Sequence, residues 1–227
     1  MPDDEVCEQQ ICTLEDIGEE VLLIKRFDRY SIDGILKRRH FEEFNQLFGQ
    51  RSDEKYNSTY EQLAKFIYDE SSSCNQADAL KIFKRVLAFI LIGNTDAHLK
   101  NFAMFHDENG KLSLTPIYDA VASAYYSQYS TLAFGLSSSD METKLNELKP
   151  KHIINFALNP KGFRLTEETL VKIVKTLEIN KNYALEMLNS LEQPKKLKDK
   201  LCDLINKRWN GTFQGIENYF KKRKKST

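Results

Sequence analysis

Apolar positions change their spacing along this chain, and the changes mark out its elements. Residues 19–30, EEVLLIKRFDRY, carry a short β-rich apolar run after Gly18 and predict a strand that emerges into a polar loop. From about residue 40 the spacing turns helical. RRHFEEFNQLFG sets Phe41, Phe44 and Phe48 at helical intervals and stops at Gly49; STYEQLAKFIYDE puts Tyr60, Leu63, Phe66 and Ile67 on one face. ADALKIFKRVLAFILIG is apolar on most sides in its second half, which predicts a central buried helix closed by Gly93 in the left-handed conformation. FAMFH and KLSLT then flank DENGK, whose Asn109-Gly110 pair favours the tight turn of a hairpin. Further on, Thr166 predicts the cap of a helix over EETLVKIVKTL, with Glu167 and Glu168 in its first turn, and amphipathic runs follow near 181–192 and 197–209. The serine cluster at 71–73 and SSSD at 137–140 read as loops.

Composition narrows the class. With 227 residues and 41% hydrophobic content the chain can bury an ordinary core in one large domain or two small ones, which argues against a disordered or fibrous protein. The longest apolar stretch, VLAFILIG at 86–93, is far short of the ~20 residues that span a bilayer, and Met1-Pro2-Asp3-Asp4 lacks the basic start of a signal peptide. No membrane association and a cytoplasmic location are expected. Cys7, Cys12, Cys74 and Cys202 are scattered, with one C-x4-C pair and no second pair to complete a zinc site, so free thiols are expected. The zero net charge conceals a polarity: acids stand at 3, 4, 5, 8, 15, 16, 19 and 20 with no Lys or Arg among the first 20 residues, while the end reads KKRKKST, a solvated basic tail.

The chemistry concentrates in LIGNTDAHLKNFAMFHDENGKLSLTPIYD, residues 91–119. Asp96 and Asn101 stand as D-x-x-x-x-N, the spacing of a kinase catalytic loop, and Asp119 follows after one hairpin. An Asn carbonyl and an Asp carboxylate from different segments suit Mg²⁺, which takes hard oxygen ligands. His98 and Lys100, lying between, offer charge or hydrogen-bond donors to phosphate oxygens. Taken singly, Asp96 reads as a helix cap, His98 as a loop histidine and Asp119 as a turn former; together they predict a magnesium-nucleotide site.

GNTDAHLKN followed by LTPIYD resembles the HipA-type toxin kinases, serine/threonine kinases of bacterial toxin-antitoxin modules. VLLIKRFDRY is similar to that family's strand and hinge segment, and RRHFEEFNQLFG resembles its R-x-H-x-E-[DE]-F-x-Q signature through Arg38, His40, Glu42, Glu43, Phe44 and Gln46. The resemblance runs with specific motifs from about 21 to 126. It implies a protein-kinase-like large lobe, mainly α (α+β), with a catalytic-site hairpin, and ATP and Mg²⁺ as cofactors. Residue by residue it implies Asp96 as catalytic base and Asn101 with Asp119 as magnesium ligands. His98, Leu99, Lys100, Asn101, Tyr118 and Asp119 would contact nucleotide, and Lys25, Arg26 and Phe27 would form the hinge beside the adenine, largely through backbone groups. The implied partners are a HipB-like DNA-binding antitoxin, through which DNA is met only indirectly, and a protein substrate such as an aminoacyl-tRNA synthetase.

The chain also departs from the kinase pattern. Its first glycines are Gly18, Gly34 and Gly49, so neither G-x-G-x-x-G nor G-x-x-x-x-G-K can precede the hinge, and no lysine precedes Lys25. The family's autophosphorylated serine has no counterpart, and the glycine-rich segment expected after EKYNSTY is missing. The expectation is therefore a truncated small lobe and hinge over 1–30 and a helical large lobe over 31–227. The missing phosphate cradle would come from a separate small-lobe chain or from lost sequence, and this chain alone would show little or no kinase activity. A noncatalytic remnant that binds an antitoxin or partner lobe is the alternative, and a small-molecule phosphotransferase ranks third.

Overall fold

The computed structural model describes residues 5–139 and 142–225; Asp3 and Asp4 of the acidic start, Asp140 of SSSD, and Ser226 and Thr227 of the tail lie outside the described residues. Two hairpins open the chain. β1 (Gln9–Leu14) pairs antiparallel with β2 (Glu19–Ile24), the strand expected after Gly18. β3 (Arg29–Ile32) pairs with β4 (Ile35–Arg38) across Asp33-Gly34, where both residues are left-handed, at φ 51° and 77°. Such a two-residue turn twists with the strands it joins. The polar loop expected after residue 30 is thus a hairpin, and the boundary expected between 30 and 31 falls inside β3. Leu22, Leu23 and Ile24 of β2 and Ile35 and Leu36 of β4 are exposed.

One buried carboxylate ties these hairpins together. Asp28, its side chain 2% exposed, accepts from Nε and Nη2 of Arg26 at 2.8 Å each, pairs with Arg29, and lies 3.8 Å from Nε of Arg38 at the end of β4. Its backbone carbonyl takes the amide of Arg39 at 2.9 Å. The Arg26 guanidinium holds the carboxyl below its ordinary range, against the opposing effect of burial. A depressed folded-state pKa means that this stabilisation is present above about pH 4 and is lost as pH falls through the lower folded value. Asp28→Asn should therefore cost roughly 1–3 kcal/mol at neutral pH and flatten the acid limb of stability. Urea unfolding followed from neutral pH into the acid limb checks both; an unchanged acid limb would remove Asp28 from this role.

Phe41, expected in a helix, lies in β5 (Phe41–Glu43), which pairs antiparallel with β6 (Ala103–His106), Phe41 opposite Phe105. Sheet pairing overrides the local helical spacing, and only α1 (Phe44–Leu47) is helical before Gly49. β6 continues into β7 (Leu112–Leu114), giving the sheet order β5-β6-β7. The β6–β7 turn holds Gly110 at φ 73°, with Asp107 Oδ1 accepting the amides of Asn109 and Lys111.

The helical body follows the pattern more closely. α2 (Tyr60–Asp69) is capped by Thr59, whose side chain accepts from the amide of Gln62, and it buries Tyr60, Leu63 and Ile67. α3 (Ala77–Ile92) is the central helix, with Ile82, Phe83, Val86, Leu87 and Ile90 at most 1% exposed. α4 (Pro150–Leu158) packs Phe156 against Phe83 at 5.5 Å. α5 (Glu167–Ser190) is capped by Thr166 as expected, but the run near 181–192 is its second half rather than another helix, because neither Gly nor Pro interrupts 167–190. After Pro194 come α6 (Lys195–Arg208) and α7 (Ile216–Lys225), and α6 packs on both α3 and α5. At 47% helix and 17% strand the fold is mixed helix and sheet rather than mainly helical. No helix among the described residues is long and apolar enough to cross a membrane.

Two polar side chains of α3 hold the hairpin and the strand exit that leads to Asp119. Asp78 Oδ2 accepts the amide of Leu114 at 3.1 Å, and Nη2 of Arg85, a 2% exposed residue, donates to the carbonyl of Thr115 at 2.7 Å. Each satisfies a buried backbone group that leaving the sheet would otherwise orphan.

Candidate functional site

The segment 93–98 is fixed from several sides. Gly93 ends α3 at φ 76°, and its carbonyl accepts the amide of Ala124 at 2.9 Å. Asn94 Oδ1 takes the amide of Asp96 at 3.1 Å, Thr95 is held by Ser123 Oγ at 2.8 Å, and the buried hydroxyl of Tyr60 donates to the carbonyl of Ala97 at 3.0 Å. With its backbone so anchored, Asp96 presents an exposed carboxylate that accepts one hydrogen bond from Tyr56 at 2.9 Å. Burial, and then the hydrogen bond to Asp96, raise the Tyr56 pKa to about 12, so the phenol remains a donor.

Asn101 and Asp119 meet. Residues 99–101 form a single 3-10 turn in which Asn101 Oδ1 accepts the amide of His98 at 2.8 Å, while its Nδ2 donates to Asp119 Oδ2 at 2.7 Å. Asp119 adopts φ 55°, a left-handed backbone that Asp and Asn tolerate better than most residues and that concentrates at functional sites. Tyr118 fixes the approach by donating to the carbonyl of Lys100 at 2.7 Å, and burial raises its pKa strongly. The amide nitrogen of Asn101 faces the exposed Asp119 carboxylate while its carbonyl oxygen, with a second lone pair, is turned to His98; the two side chains still bring two hard oxygen donors, of the kind magnesium takes, into one corner.

The residues between take parts that the sequence did not reveal. His98, expected to supply charge or a donor, is buried, and its Nε2 lies 2.8 Å from Lys55 Nζ. Burial first and the Lys55 charge second lower its pKa, so the ring is neutral at pH 7 and accepts from the lysine. The cation at this corner is Lys55. Lys55→Met should raise the His98 pKa, as followed by NMR titration of the ring proton; no upward movement would exclude the lysine as a cause. Lys100 Nζ reaches Ser52 Oγ at 3.4 Å and stands 4.0 Å from Glu43. Leu99 has a side chain wholly in the core and an amide given to the carbonyl of Lys55 at 3.2 Å.

At the expected hinge, Lys25 pairs with Glu8 at 2.7 Å and Arg26 with Asp28, so their side chains are committed to structure. Phe27 stacks on Tyr118 at 5.2 Å and meets Phe41 and Phe105 edge-on at 5.0 and 5.6 Å. This aromatic cluster joins the hinge to the segment carrying Asp119. Lys55, Tyr56, Ser123, Asp78 and Arg85 were not legible as site residues; the one signal available was Arg85, a charge in the middle of an apolar helical run.

A helical body with a small sheet at its edge, and an Asp loop near a paired Asn and Asp, is the arrangement of a kinase-like fold. The model of the HipA-like C-terminal domain matches residues 4–185, and the chain belongs to that family. Candidate kinases Y4mE and Y4dM of Sinorhizobium fredii are 32% and 33% identical over 113 and 114 residues, 48% of this chain in both cases and 27% and 26% of theirs. A candidate kinase of Haemophilus influenzae is 34% identical over 115 residues, 48% of this chain and 32% of its own length. The matched stretch thus spans about a quarter to a third of these relatives. Among solved structures, Shewanella oneidensis HipA, in complex with HipB and operator DNA, superposes with a TM-score of 0.72 at 19% identity, covering 95% of this chain and 54% of that one. The Helicobacter pylori proinflammatory kinase CtkA gives 0.65 at 13%, covering 95% and 77%. These two share the fold.

Proposed function

We propose that this chain is the catalytic lobe of a HipA-like serine/threonine protein kinase that transfers phosphoryl from MgATP to a protein hydroxyl. The observation that carries the reading is the 2.7 Å contact of Asn101 with Asp119 on the segment that leaves the hairpin next to the anchored Asp96 loop. Asn101 and Asp119 would hold Mg²⁺, which would neutralise phosphate charge during transfer. Asp96 Oδ accepts the proton of the acceptor hydroxyl, and Tyr56 keeps that carboxylate oriented. Lys55 and Lys100 supply positive charge at the phosphate side, and the backbone of residues 25–27 with Phe27 borders the adenine.

Exposed apolar rows on β2 and β4 support a docked small-lobe element that brings the phosphate cradle, for this chain holds no G-x-G-x-x-G loop. A HipB-like antitoxin partner, a translation-factor substrate and a cytoplasmic location complete the proposal, the antitoxin by analogy with the HipA–HipB complex. Binding of a fluorescent ATP analogue with and without Mg²⁺ tests it on the chain itself. Mg²⁺-strengthened binding that disappears in Asp119→Ala is expected; equal binding by both proteins would overturn the magnesium assignment.

A further inference from the structure

The geometry points to a second, transition-metal site, formed by His40, Glu42 and His106 on the opposite face of the sheet from the hinge aromatics. In a strand, residues two apart share a face, and directly paired residues on neighbouring antiparallel strands share it too. β5 pairs with β6 so that Phe41 faces Phe105, which puts His40 opposite His106 and places Glu42 on the same face. The amide of His106 donates to the carbonyl of His40 at 3.1 Å, so the backbones of the two histidines are locked side by side. Two imidazoles and a carboxylate are thereby set on one rigid element rather than on mobile loops.

The side chains bear this out. One ligand atom from each residue lies within 4.8 Å of the other two, and the rings of His40 and His106 are 4.8 Å apart. Glu42 Oε2 stands 2.6 Å from His106 Nε2, yet that buried nitrogen meets no hydrogen-bond geometry. At that distance a proton must lie between the two atoms, and a cation that displaced it would draw on both once they parted to ligand spacing. Around one zinc at ~2.0–2.1 Å, ligand atoms sit roughly 3.3 Å apart, so modest side-chain rotation closes the set. Arg38 and Arg39 border the same cleft as the two histidines, but each is engaged elsewhere: Arg39 lies over the Phe105 ring at 3.8 Å, and Arg38 turns to Asp28 at 3.8 Å. A cleft of about 680 Å³, bordered by His40, His106 and Glu108, leaves room for water in the remaining position.

Two imidazoles with one carboxylate select first-row transition metals over Mg²⁺, and three protein ligands plus water is a familiar zinc set. Filling the site would clamp the start of β5 to the end of β6 and so brace the sheet whose far end leads to Asn101 and Asp119. This inference is independent of the kinase reading, since it rests on other residues and another ion.

Titration of the metal-free full chain with Co²⁺, followed by visible absorption, and with Zn²⁺, in competition with a chromophoric chelator, tests it. One equivalent is expected to bind and to raise the melting temperature. His106→Ala and His40→Ala should each weaken binding by about 100-fold or more, since even loss of a supporting outer residue costs 10–100-fold. Glu42→Gln, which preserves shape, should weaken it without lowering the metal-free melting temperature. Asp119→Ala, and Cys7→Ser combined with Cys12→Ser, should bind as the wild type does. Undiminished binding in Glu42→Gln and His106→Ala, loss of binding with the cysteines, or no binding by the wild type would each overturn the site.

Discussion

Asp96→Asn should reduce phosphoryl transfer by the active complex about 10²–10⁴-fold while leaving nucleotide affinity and thermal stability unchanged. The magnitude is that of a removed general base. The separation of effects follows from how Asp96 is held: its backbone amide is taken by Asn94, and its exposed side chain accepts a hydrogen bond from Tyr56 at 2.9 Å. An asparagine keeps an oxygen for Tyr56 and the same shape, so the loop stays in place and only basicity is lost. Tyr56→Phe supplies the complementary measurement. It removes the group that orients the carboxylate, and kcat should fall about 10-fold with little change in KM for ATP. Steady-state kinetics with labelled ATP check both; retained turnover in Asp96→Asn would take the base role from this residue.

How far such a site was readable depends on where each residue acts. Asp96, Asn101 and Asp119 stand in a spacing that the sequence displays, and Gly93 and Thr166 obey local capping rules, so the left-handed end of α3 and the start of α5 followed from the sequence. Tyr56, Lys55 and Ser123 act across gaps of 40, 43 and 28 residues, and no local pattern encodes such contacts. Phe41 failed for a related reason: its helical spacing with Phe44 and Phe48 is real, but pairing with a strand more than sixty residues away decides its conformation. The β3–β4 hairpin was legible and missed, because Asp33-Gly34 is a standard two-residue turn signal inside a stretch read as loop. The neutrality of His98 was beyond the sequence, since burial and Lys55 set it together.

Gly93→Ala is expected to cost about 2–5 kcal/mol of stability. Two independent costs meet at this position. The left-handed backbone at φ 76° disfavours any Cβ by roughly 1–2 kcal/mol. The added carbon would also stand 2.7 Å from Leu204 Cδ2 and 3.1 Å from Ala124 Cβ, and overpacking of that kind costs roughly 1–3 kcal/mol. Gly93→Asn separates them, for asparagine accepts the left-handed conformation more readily but carries the same Cβ into α6. Gly93→Ala combined with Leu204→Ala should show favourable coupling, because the shortened side chain makes room that the single variant lacks. The Gly93 carbonyl also receives the amide of Ala124, so the strain falls on the joint between the Asp96 loop and the segment after Asp119. Urea unfolding of the single and double variants measures these effects. A loss under about 1 kcal/mol in Gly93→Ala would mean that α3 and α6 yield at this point, and that the loop is not anchored as tightly as its hydrogen bonds require.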